Sequence, residues 1–139
     1  MPGTRWRRAP ANGIRDSGVA GHPRPAFELQ RIYDPPDGTT ARVLVDRLWP
    51  RGVKQDDARL DAWLKDVAPT PELRRWYRHD PARFDEFARR YRDELSRPTA
   101  SDALDWLRQL ARQRPVALLT ATRDIERSGA RVLRDHLAG

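Results

Sequence analysis

Residues 41–54 read ARVLVDRLWPRGVK, a run that passes from apolar to charged within a few positions. Val43, Leu44 and Val45 form a continuous apolar stretch, the pattern of a strand covered on both faces as in a parallel sheet. Asp46, Arg47, Trp49, Pro50, Arg51, Gly52 and Lys54 follow at once, so charge gathers at the carboxyl end of that strand.

The flanking sequence extends the same reading. FELQRIY at 27–33 alternates loosely and stops at the turn signal DPPDG at 34–38, as an edge strand would. PVALLTAT at 115–122 supplies another buried strand. Between them the apolar period lengthens to about 3.6. Leu60, Trp63, Leu64 and Val67 fall on one face of a helix predicted to end before Pro69. Thr70-Pro71 and Asp80-Pro81 are N-cap and first-turn pairs, the second opening a helix through Phe84, Phe87, Ala88, Tyr91 and Leu95. A fourth helix begins near Ser101 and carries Leu104, Leu107, Leu110 and Ala111; a last one runs through Ile125, Ala130, Leu133 and Leu137. Strand, long helical crossover, strand and helix is the order of an α/β fold. The expectation is a small parallel-type sheet of about three or more strands with a multi-helix crossover and a C-terminal helix.

The chain has 139 residues, enough for one domain with a real core. Residues 27–139 are read as that domain, and 1–26 as a disordered basic extension rich in Gly, Pro and Arg without apolar periodicity. The chain contains no cysteine, which excludes disulfides, thiolate nucleophiles and zinc-thiolate sites. Apolar runs such as VALL at 116–119 are too short to cross a bilayer, and no signal-peptide core follows the basic start. The expected location is therefore the cytoplasm, with no membrane partner.

The net charge of +7 raises nucleic acid as a partner. Its distribution counters that, because residues 1–25 hold five arginines against one aspartate and residues 26–139 keep only +3. A basic arm supports nucleic-acid binding chiefly when the folded domain is basic too.

In open parallel sheets ligands collect outside the carboxyl ends of the strands. Asp46, Arg47, Trp49, Arg51 and Lys54 follow one such end; Thr120, Arg123 and Asp124 follow another, ahead of a helix N-terminus expected to offer free amides. Arginine's planar fork matches carboxylate and phosphate oxygens, so the partner expected here is a small anionic ligand. Arg47, Trp49, Arg51, Lys54, Thr120 and Arg123 are the candidate binding residues. Asp46, Asp124 and His79 are the candidate acids or bases, with burial able to raise a carboxyl's pKa. The competing reading is a structural network in which Asp46 and Arg47 pair with each other or with Asp124. The chain carries no HExxH, EF-hand, GxGxxG, GxxxxGK[ST] or nucleophile-elbow motif, so no metal or cofactor is expected.

RIYDPPDG, VDRLWPRGVK, the segment from LDAWL to YRDEL with its HDP triplet, and PVALLTATRD together resemble the YeaO-like branch of the bacterial DUF 488 family over residues 30–137. The resemblance implies a compact α/β domain of unestablished biochemical function. It implies signature positions at Tyr33, Asp46, Arg47, Trp49, Pro50, Arg51, Gly52, Lys54, Trp63, Leu64, His79, Asp80, Pro81, Tyr91, Arg123 and Asp124. The end of the chain departs from the pattern: family members usually have tyrosine where Thr120 stands, and a His/Asn-rich turn where this chain has Arg127, Ser128 and Gly129.

Overall fold

A computed structural model of the chain describes residues 26–138. The extension expected over 1–26 therefore lies, apart from Ala26, outside the described residues. The elements in chain order are β1 (Phe27–Arg31), β2 (Ala41–Leu44), α1 (Gln55–Ala58), β3 (Ala62–Trp63), α2 (Pro71–Tyr77), α3 (Phe84–Leu95), α4 (Pro98–Ala111), β4 (Val116–Thr120) and α5 (Gly129–Ala138). Short 3-10 turns stand at Lys65–Val67, Pro81–Arg83 and Ile125–Arg127. The four strands form one parallel sheet in the order β1-β4-β2-β3. Among the described residues no helix is long and apolar enough to cross a membrane.

β4 is central and all five of its residues are buried, as a strand covered on both faces should be. On one face Val43, Val45, Val116 and Leu118 pack with Leu73, Phe87, Tyr91, Leu107 and Leu133 from the helices. On the other, Leu44, Ala117 and Leu119 pack with Ile32 and Ala58, sealed by Trp49, Val53, Leu60 and Trp63. The chain leaves β4 toward the first layer, through α5, and leaves β2 toward the second, through α1. Adjacent parallel strands whose connections depart on opposite faces open a crevice between their carboxyl ends.

The helix expected through Leu60, Trp63, Leu64 and Val67 is corrected by the structure. α1 stops at Ala58, Arg59 takes a left-handed φ of +50°, and the chain extends into β3 beside β2. Trp63 joins one layer while Ala62 and Leu64 join the other, an alternation of period two. The backbone of β2 drives this, because its outer edge needs partners: Asp61 N–H donates to Arg42 O at 2.8 Å and Leu64 N–H to Leu44 O at 2.9 Å.

Residues 32–40 join β1 to β2 without a helix. Arg42, 4% exposed, holds this crossover from below. Its guanidinium donates to Ile32 O (3.2 Å), Asp34 O (3.0 Å) and Ala58 O (3.0 and 3.2 Å). Asp37 closes the turn, accepting from Thr39 N (2.9 Å), Thr40 N (2.8 Å) and Thr40 Oγ1 (2.8 Å). Those donors favour the ionised carboxylate and hold its pKa far below the ordinary value.

Candidate functional site

The ladder between β2 and β4 continues one residue past β2, with Val45 N–H donating to Leu119 O at 3.1 Å. Asp46 follows, and its side chain reaches across to the end of β4. Asp46 Oδ1 accepts from Thr120 Oγ1 at 2.7 Å, and Oδ2 accepts from Ala121 N–H at 2.9 Å. Its backbone carbonyl accepts from Trp63 Nε1 at 2.7 Å. Thr120 is 1% exposed, and its hydroxyl oxygen also accepts from Thr122 N–H at 3.1 Å. Burial raises the pKa of Asp46; the bonds from Ala121 and Thr120 and the charges of Arg74 and His79 oppose that rise.

Arg47 turns away from Asp46. Its Nε donates to Pro69 O (3.1 Å) and its Nη2 to Ala68 O (3.2 Å), clamping the strand end to the segment before α2. Trp49 meets Trp63 edge to face at 5.2 Å and donates to Val53 O at 2.7 Å, closing a loop whose Gly52 has a φ of +77°. That region favours glycine. Lys54 is exposed at the entrance to α1 and lines neither cavity described below.

Asp46, Arg47, Trp49 and Arg51 line a cavity of about 610 Å³, completed by Arg74, Tyr77, Arg78 and His79 from the end of α2. Asp46 is the one carboxylate among its described lining residues. Arg51, Arg74 and Arg78 are exposed, and no guanidinium of the three has an ion-pair or hydrogen-bond partner among the described residues. A smaller cavity of about 310 Å³ adjoins it, sharing Tyr77, His79, Ala121 and Thr122 and adding Arg123, Asp124 and Arg127. Asp124 pairs there with Arg127 at 2.8 Å, on the surface.

The candidates therefore fall into two groups. Asp46, Arg47, Trp49, Arg51 and His79 share the larger cavity. Thr120 stands behind it as the partner of Asp46, while Arg123 and Asp124 belong to the adjoining cavity. α5 begins at Gly129, later than expected, after the Ile125–Arg127 turn. Ser128 Oγ caps it, accepting from Arg131 N–H at 3.1 Å and donating to Ile125 O at 2.7 Å. The helix start expected just beyond Asp124 thus stands at Gly129, where Ser128 Oγ caps one amide, that of Arg131, and Ser128, Gly129 and Ala130 line the larger cavity.

Sequence reasoning missed Arg74, Tyr77 and Arg78. Arg74 and Tyr77 lie on α2 and Arg78 is its C-cap, and all three line the cavity that Asp46 lines. Arg78 and His79 both take left-handed φ angles, +50° and +54°, reversing the chain tightly before Asp80 caps the next turn through Ala82 N–H at 3.0 Å. Tyr77 stacks on Phe87 at 4.1 Å and donates to Arg127 O at 2.6 Å, tying α2 to the approach to α5. The four-residue spacing of Arg74 and Arg78 was the available signal.

A family model described as "Inactive DUF488-N3 subclade" matches residues 26–139. The uncharacterized protein Rv3073c of Mycobacterium tuberculosis H37Rv is 53% identical over 114 residues, spanning 80% of this chain and 92% of its own length. The uncharacterized protein Mb3100c of Mycobacterium bovis matches to the same extent. The uncharacterized protein YeaO of Escherichia coli K12 is 34% identical over 112 residues, spanning 80% of this chain and 96% of its own. No solved structure matches the chain.

Proposed function

The chain belongs to the DUF488 family, in the subclade described as inactive, and on that premise we propose that it is a cytoplasmic protein that binds a small anionic ligand without turning it over. One observation carries the reading: Arg51, Arg74 and Arg78, whose guanidinium groups make no ion pair or hydrogen bond among the described residues, line a cavity whose one described carboxylate is Asp46. Unpartnered guanidinium groups around a concave site favour carboxylate, sulfonate or phosphate oxygens. The volume of about 610 Å³ lies within the ordinary range of small-molecule sites.

The chemistry around Asp46 supports binding over catalysis. Each of its oxygens is already engaged by a donor from the end of β4, and the carboxylate is fixed to the sheet rather than poised on a mobile loop. The threonine at 120, where the resembling family usually has tyrosine, forms one of those bonds.

Differential scanning fluorimetry of the full chain against inorganic phosphate, sulfate and small dicarboxylates tests this. A ligand at about 100 times its Kd stabilises by roughly 2.7 kcal/mol. For a domain of this size that is a rise of several degrees in Tm. The rise should vanish in the Arg74→Ala, Arg78→Asn double variant, asparagine being chosen because it tolerates the left-handed backbone at 78. An equal shift in that variant, or none with any anion, rejects the reading.

A further inference from the structure

Asp46 narrows the class of anion. Its two oxygens accept one hydrogen bond each from Thr120 and Ala121, and no other donor reaches them among the described residues. An ionised carboxylate has about four lone-pair sites, so roughly two remain unused on a side chain that lines the cavity. The electrostatic pattern thus changes sign within one cavity: a rim of Arg51, Arg74 and Arg78, and a carboxylate at the strand end. A plain anion seated against both meets attraction from the rim and repulsion from Asp46. A molecule that carries an N–H-bearing group beside its anion satisfies the two together.

Building on the anion reading, we propose that the cavity takes a bipolar ligand, an ammonium-bearing sulfonate, carboxylate or phosphate. Its anion faces the Arg74 and Arg78 guanidinium groups and its ammonium donates to Asp46. Asp46 is then the specificity-determining residue of the site, and the arginines supply affinity common to all small anions.

Matched probes separate these contributions. Taurine and ethanesulfonate share a skeleton and a permanently ionised sulfonate and differ in the ammonium; phosphoethanolamine and ethyl phosphate form a second such pair. By isothermal titration calorimetry on the full chain, the ammonium member of each pair should bind at least about tenfold tighter, the scale of one charge-assisted hydrogen bond. In Asp46→Asn the preference should disappear, with ethanesulfonate binding as well as or better than it does to the parent. Should that variant not fold, lowering the pH of the parent protein replaces it. With His79→Asn as the background, which removes the histidine that lines the same cavity, protonation of Asp46 must then erase the taurine preference, since neither probe changes charge in acid. Equal binding of the two members by the parent protein overturns the proposal and leaves the anion reading standing. A preference that survives both Asp46→Asn and acid overturns it as well. Failure of all four probes to bind rejects the anion reading and this proposal together.

Discussion

Thr120 and Asp46, 74 positions apart in sequence, join the ends of adjacent parallel strands by a hydrogen bond of 2.7 Å from hydroxyl to carboxylate. Ala121 N–H adds a second at 2.9 Å. The pair fixes a charge at the mouth of the crevice between β2 and β4, and Trp63 holds the same residue by its backbone carbonyl. The arrangement stabilises an ionised side chain that burial alone would disfavour.

Burial raises the pKa of Asp46 above its unfolded value, so the folded protein holds that proton more tightly than the unfolded chain does. Ionisation of Asp46 therefore costs stability as pH rises from the unfolded pKa through the folded one, and acid relieves the cost. In urea denaturation across pH, the stability of the parent protein relative to Asp46→Asn should fall as pH rises through that window. A pH-independent difference contradicts the assignment.

Asp37 should behave oppositely. Its folded pKa is depressed by donors from Thr40 and Thr39, so its contribution is present above the unfolded pKa and is lost as pH falls through the folded value. Asp37→Ala should lower Tm at neutral pH, and the deficit should shrink progressively in acid.

Arg47→Ala should destabilise without unfolding. The change removes donors to Pro69 O and Ala68 O. Hydrogen bonds from a charged group contribute about 1.5–3 kcal/mol each, less where water can replace the donor. A loss of about 1–3 kcal/mol in urea denaturation is expected, and no measurable change would mean that the clamp is not formed.

Arg42→Met should be more severe. The replacement keeps much of the apolar stem but strands the carbonyls of Ile32, Asp34 and Ala58. A buried group left without its partner costs about 1–3 kcal/mol, so the sum should reach about 3 kcal/mol or more. Circular dichroism melting checks it; a Tm within a degree or two of the parent contradicts the role assigned to Arg42.

Strands β2 and β4 were legible in the sequence because burial on both faces leaves the apolar runs Val43–Val45 and Val116–Leu119, although β2 itself begins at Ala41 and includes the buried Arg42. The caps at Thr70 and Asp80 were legible because capping is local chemistry: Thr70 Oγ1 accepts from Leu73 N–H at 3.2 Å. β3 was not, since Leu60, Trp63, Leu64 and Val67 also satisfy a helical spacing and only the open edge of β2 selects the extended form. The region of the candidate site follows from charge at strand ends. The approach of Arg74 to Asp46 could not be read, because α2 brings it there through tertiary packing rather than through a motif. Nor could the direction of Arg47, which depends on two carbonyls more than twenty positions away.

An anion seated in the crevice between β2 and β4 would perturb the amides that line it. A 1H–15N NMR titration of the full chain with inorganic phosphate reads this out residue by residue. The amides of residues 46–49, 51, 74–79 and 121–122 should move together with one Kd while those of α4 stay still. Shifts confined to the arginine-rich residues 1–25, or spread evenly over the basic surface, would contradict that seating.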